Sequence, residues 1–203
     1  MRLTTPAGLV VVKKEEKEGK LSQFIDKHLD ARRAADTREP ACFLLVARSA
    51  ESPVVRALAA RSAALEAHGI VVRAVLTLID QTEFGEPSLP PGRLIAEGML
   101  RLVADARLYE AHEQLVMDGQ TCWIGDCMRR EPAKRDSYER FAEGCAETAK
   151  LTARAFDRLW SSGISGDHMI GADVIQIAAD PTIDPASLPE AAASQTATIS
   201  TRH

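Results

Sequence analysis

Residues 41–79 read ACFLLVARSAESPVVRALAARSAALEAHGIVVRAVLTLI, and the fold class turns on this stretch. Its first seven residues are almost wholly apolar. A short continuous apolar run fits a strand buried on both faces. Ser52 is a good helix N-cap and Pro53 suits the first helical position. Val54, Val55, Leu58 and Leu65 then share one helical face. Gly69 is placed to end that helix in a left-handed conformation. The residues from Ile70 onward are apolar and β-branched, as a second buried strand would be. Strand, one helix and strand joined by short links predict a βαβ unit with parallel strands and a right-handed crossover.

On the N-terminal side, TREP (37–40) is a helix breaker, because a residue before proline disfavours the α region. Before it, LSQFIDKHLDARRAAD (21–36) carries Leu21, Phe24, Ile25, His28 and Leu29 at helical spacing. This helix should dock on the domain, with His28 as a packed boundary residue. KKEEKEGK (13–20) is charged, and the Leu9–Val12 run before it is too short for a signal-peptide core. On the C-terminal side, residues 80–92 read as a Pro/Gly loop. RLIAEGMLRLVAD (93–105) reads as a helix with Leu94, Ile95, Met99, Leu102 and Val103 on one side. Residues 106–126 read as a short strand and a hairpin across Asp118-Gly119. SYERFAEG (137–144) reads as an edge strand. AETAKLTARAFDRLW (146–160) reads as a closing helix that buries Leu151, Ala155, Phe156 and Leu159. An apolar cluster between 161 and 180 could pack as an extended segment. The Pro/Ala/Ser/Thr-rich end has too few large apolar groups to offset ordering entropy, so a disordered tail is expected. The expected fold class is α/β: a mixed β-sheet flanked by helices on both faces. The expected divisions are 1–39, an extension with a docked helix; 40–162, the domain; and 163–203, an extended segment and tail.

Composition narrows the function. The chain has 203 residues with 25 basic and 29 acidic side chains, a formal charge of −4. Nucleic-acid binders usually carry a basic surplus, and base-stacking surfaces need aromatics, which are only 4% here. No apolar stretch is long enough to span a membrane, and a cytoplasmic location is expected. Four cysteines (Cys42, Cys122, Cys127, Cys145) do not make a disulfide scaffold in a chain of this size. Cys122 and Cys127, with His112 facing them, raise a zinc site. The strand context is unsuited to a zinc knuckle and buried thiols are the default, so no metal or other cofactor is expected.

Three stretches resemble the phospholipase D-like superfamily. Residues 52–76 resemble the family's helix and following strand. HEQLVMDGQTCWIGD (112–126) resembles its signature hairpin, H-x-K-x4-D-G-x5-G-S-x-N. Residues 137–160 resemble its closing strand and helix. Together they cover roughly residues 42–160. The resemblance makes His112 the nucleophile that attacks phosphorus, and matches Asp118, Gly125 and Glu139 to the motif, with Glu139 able to orient His112. Gln114 stands at the lysine position, Asp126 and Met128 at the serine and asparagine positions, and Asp118 arrives one residue early. Lysine supplies a cation and glutamine only a neutral amide. An aspartate at the serine position sets a like charge against phosphate, worth up to ~4 kcal/mol at ~4 Å in an effective dielectric of about 20. A one-residue slip also moves a strand side chain to the opposite face.

Family members with one motif build their site by homodimerisation, so a homodimer is expected. The leading expectation is a degenerate, non-catalytic member acting as a binding or scaffolding module. The alternatives are a homodimeric phosphodiesterase or nuclease using His112 as a phosphohistidine nucleophile, and an unrelated α/β ligand-binding protein. In the enzymatic alternative, Arg129 or Arg130 replaces the missing lysine charge. Those arginines, with Lys134 and Arg135 in MRREPAKRD (128–136) and with Gln114, are the candidate anion-binding residues for a phosphate-containing ligand.

Overall fold

The computed structural model describes residues 9–37, 39–77, 94–96, 98–103, 106–108, 111–126 and 136–166. The chain divides into compact units at Met1–Ala172 and Asp173–His203, and every described residue belongs to the first. The expected loop at 80–92, the basic residues at 128–135 and the C-terminal tail lie outside the described residues.

The described chain runs β1 (Leu9–Lys13), a 3-10 turn (Lys14–Glu16), α1 (Lys17–Ala34), β2 (Ala41–Ala47), α2 (Pro53–Ala59), α3 (Ser62–Ala67), β3 (Ile70–Leu76) and β4 (Leu100–Leu102). A second 3-10 turn (Ala106–Leu108) follows, then β5 (Gln114–Val116), β6 (Cys122–Ile124), β7 (Asp136–Ala142), α4 (Ala146–Ser162) and β8 (Ile164–Ser165). The eight strands form one sheet in the order β1-β7-β6-β5-β2-β3-β4-β8. β2, β3 and β4 are parallel neighbours, and every other pairing is antiparallel. The architecture is a mixed sheet with helices on both faces.

The two faces are covered unequally. Leu21, Phe24, Ile25 and Leu29 of α1, Val54, Val55 and Leu58 of α2 and Leu65 of α3 pack with Phe43, Leu45, Val72, Leu115 and Trp123. On the other face α4 is the covering helix among the described residues, with Phe156 and Leu159 against Val46 and Val75, and Ala149 against Val116 and Cys122. Trp160 stacks on Phe156 and lies under the Arg73 guanidinium, 4.1 Å from the ring centre.

The βαβ unit forms as read, with two refinements. Gly69 takes φ +64°. The single expected helix is split into α2 and α3. At the break the Arg61 side chain donates to the Ala57 carbonyl, which the residue's own amide would meet in a continuous helix. That amide turns to Leu58 instead, while the guanidinium grips both oxygens of Asp26 on α1. Ser52 sits at the N-cap without capping; its hydroxyl accepts the Ser49 amide.

Three expectations are corrected. The described residues of 93–105 do not form a helix; Leu100–Leu102 is β4. Ala74 donates to the Met99 carbonyl and Val103 to that of Leu76, so pairing with β3 outweighs local periodicity. Gly98, at φ +76°, fits a turn and not a helix interior. Residues 137–142 are not an edge strand, because the valine run at 9–13 forms β1 and covers β7. Leu151 is 57% exposed. The buried stripe of α4 runs instead through Thr148, Ala149, Thr152, Phe156 and Leu159. Its threonines are tolerated because the Thr152 hydroxyl donates to the Thr148 carbonyl.

Candidate functional site

The hairpin of residues 112–126 is β5–β6, with Leu115 opposite Trp123. Asp118 makes the turn: its Oδ1 accepts the amides of Gln120 at 2.7 Å and Thr121 at 2.6 Å. Its other oxygen lies 3.7 Å from Nδ1 of His28, where α1 passes the hairpin turn. His28 is buried edge-on to Phe43. Burial pulls its pKa below the ordinary imidazole value; Asp118 opposes the shift and Arg32 adds to it.

Strand alternation then separates the motif residues. Gln114 faces α4, where its amide donates to the Thr152 carbonyl at 3.1 Å. His112 shares that side. It lines an open groove of about 720 Å³ together with Leu108, Gln114, Arg158, Leu159 and Ser162.

Glu113, between them, points to the opposite face. Its Oε1 accepts the Arg48 amide at 3.2 Å, and its Oε2 lies 3.4 Å from the Lys17 ammonium at the start of α1. The same ammonium lies 3.2 Å from Oε1 of Glu139 and 5.2 Å from the centre of the Trp123 ring. Glu139 is fully buried and fully engaged: it accepts the Trp123 indole N–H at 2.7 Å and the Ser137 hydroxyl at 2.6 Å. Gly125 completes the arrangement, since a Cβ there would meet the Trp123 ring at 2.7 Å.

The structure therefore brings Glu139 together with Glu113, Lys17, Trp123 and Ser137. His112 and Gln114 lie on the other side of the sheet. Asp118 is a turn residue in contact with His28. Asp126, at the motif's serine position, follows Gly125 and takes φ +46°. Arg129 and Arg130 lie outside the described residues, as do Cys127 and Met128. Lys17, Glu113 and Trp123 were not singled out by motif spacing. The readable signal was period two: in an H-E-Q strand, the residue between two motif positions must face the other way.

Two thiols flank the α4 side of the hairpin. Cys145, at the N-cap of α4, has its pKa lowered by the Thr148 hydroxyl, 3.0 Å away, and by that residue's amide. Burial pushes the Cys122 thiol up. No group of three metal-ligating side chains exists among the described residues, and no described helix is long and apolar enough to cross a membrane.

No protein-family model matches the sequence, and no curated protein matches it. Among solved structures, the chain is similar to Nuc, a phospholipase D family member from Salmonella typhimurium. The identity is 15% and the TM-score 0.49, over 77% of this chain and 96% of that one. It is similar to NucT from Helicobacter pylori at 10% identity and a TM-score of 0.49, over 77% and 98%. It is also similar to TrmBL2, an archaeal chromatin protein whose structure shows a novel mode of DNA binding. That likeness has 14% identity and a TM-score of 0.42, over 80% of this chain and 56% of that one.

Proposed function

We propose that this chain is a phospholipase D-like domain that does not carry out phosphodiester chemistry and serves, as a homodimer, as a binding or scaffolding module. The observation that carries this reading is that the hairpin turns Glu113, not His112, toward Glu139. In the family's chemistry the developing phosphoryl charge needs cationic or donor groups around it. Here two carboxylates share one ammonium, so the cluster carries a net negative charge. Its hydrogen-bonding capacity is taken up by Trp123, Ser137 and Arg48. An incoming phosphate would be repelled by the carboxylate excess, and it would find no spare donor on the indole. The Gln114 amide is likewise committed, to the Thr152 carbonyl.

A second reading, a homodimeric phosphodiesterase using His112, is favoured by one feature. The His112 ring faces an open groove that Arg158 also lines. Hydrolysis of bis(4-nitrophenyl) phosphate by the full chain separates the two. The non-catalytic reading expects no turnover that depends on His112. Turnover that falls a hundredfold or more in His112→Ala, with the fold intact by circular dichroism, would overturn it and establish the second reading.

A further inference from the structure

β1 pairs with β7 on one side, and among the described residues its other backbone edge is open. An open strand edge is a template for pairing with another chain, and edge strands are ordinarily guarded by a charge, a proline or a bulge. Leu9–Val12 has none of these, and its lysine, Lys13, stands at the end of the strand. Val10 is 44% and Val11 53% exposed. Val11 stands opposite Tyr138, on the α4 side, while Val10 and Val12 stand opposite Glu139 and Ser137, on the α1 side.

We propose that β1 pairs antiparallel with β1 of a second copy of this chain, about a two-fold axis through Val11. The strand is its own complement in that register. Val11 meets Val11, Val10 meets Val12, and Leu9 meets the aliphatic stem of Lys13. A two-fold axis perpendicular to the sheet keeps the faces matched, so each α1 layer continues into that of the other copy. Charge fits as well. Like charges directly opposite one another destabilise a strand pair. The two Lys13 residues fall at opposite ends, roughly 13 Å apart at about 3.4 Å per residue, beyond the ~8 Å screening length at physiological salt. This pairing uses a strand edge and involves neither the His112 groove nor the Glu113 cluster.

Sedimentation of the full chain over a range of concentrations tests it. The wild type is expected to move from monomer to dimer mass. Val11→Lys, which sets ammonium against ammonium at the axis, is expected to raise the dissociation constant at least tenfold while leaving the far-UV circular dichroism spectrum of the folded protein unchanged. Val11→Cys is expected to form a disulfide-linked dimer on mild oxidation. Opposed Cα atoms in an antiparallel pair lie about 4.5–5.5 Å apart, within the range a disulfide spans. Wild-type protein, with exposed Cys42, gives the background for that measurement. A dimer that survives Val11→Lys and does not cross-link through Val11→Cys would overturn this inference and leave the homodimer of the proposed function standing. A monomer at every concentration would overturn both.

Discussion

Residues 112 and 113 are neighbours in the chain and strangers in the fold. Glu113 enters a closed setting on the α1 side, where Lys17, Glu139, Trp123 and Ser137 satisfy one another. His112 enters an open one on the α4 side, in a groove shared with Arg158 and Ser162. The closed side is a structural element: removing any member strands another. The open side is available: nothing else in the described fold depends on the His112 ring. A motif read by spacing alone merges these two environments, and a single step of β alternation separates them.

The largest blow to the closed side is expected from Glu139→Ala. It leaves the Lys17 ammonium and the Trp123 indole N–H short of a buried partner. Breaking a buried pair by removing one member costs about 3–5 kcal/mol, measurable by urea unfolding. A loss under 1 kcal/mol would show that the closed side is not the structural element described here. Gly125→Ala comes next, since the added methyl must displace the Trp123 ring. Overpacking of this kind costs about 1–3 kcal/mol. Combining it with Trp123→Leu should recover part of that loss, and an additive result would place the strain elsewhere.

A smaller effect is expected from acid acting through His28, where α1 passes the hairpin turn. Its folded pKa is lowered, so its contribution is fully present above the ordinary imidazole value. It is lost as the pH falls through the depressed folded value, because the unfolded chain binds the proton first. Thermal melts between pH 7.5 and 5 should show a decline that His28→Phe flattens. Asp118→Asn, which removes the carboxylate opposing the shift, should steepen it. The smallest effect belongs to the open side. His112→Ala should change stability by no more than about 0.5 kcal/mol. A larger loss would mean that the two environments are less different than their geometry indicates.

What could be read from the sequence was what is decided locally. β2, β3, the entry to the helical crossover at Pro53, the left-handed stop at Gly69 and the turn at Asp118 are each announced within a few residues. β1 and β4 are not. Leu9–Lys13 becomes a strand only because β7 offers it an edge, and Leu100–Leu102 only because β3 does. The helical spacing of 93–105 was a true pattern with the wrong outcome, and Gly98 was its warning. Leu151 misled because threonines took the inner stripe of α4. The site was half legible. The hairpin could be read from its Asp118-Gly119 turn, and Glu139 was named, but as a partner of His112, which lies on the other side of the sheet. Lys17 could not be read, because it arrives from a helix almost a hundred residues earlier in the chain.

The pairing of Leu9 with Arg140 has a consequence during synthesis. Ribosomes add roughly 5–20 residues per second, so β1 emerges roughly 7–25 s before its partner strand exists. Throughout that interval a run of three valines has no edge to join, and slow non-local pairing of this kind exposes a nascent chain to aggregation. A holdase that recognises short extended apolar segments would find a target in Leu9–Val12. The demand for that help should fall when translation is faster.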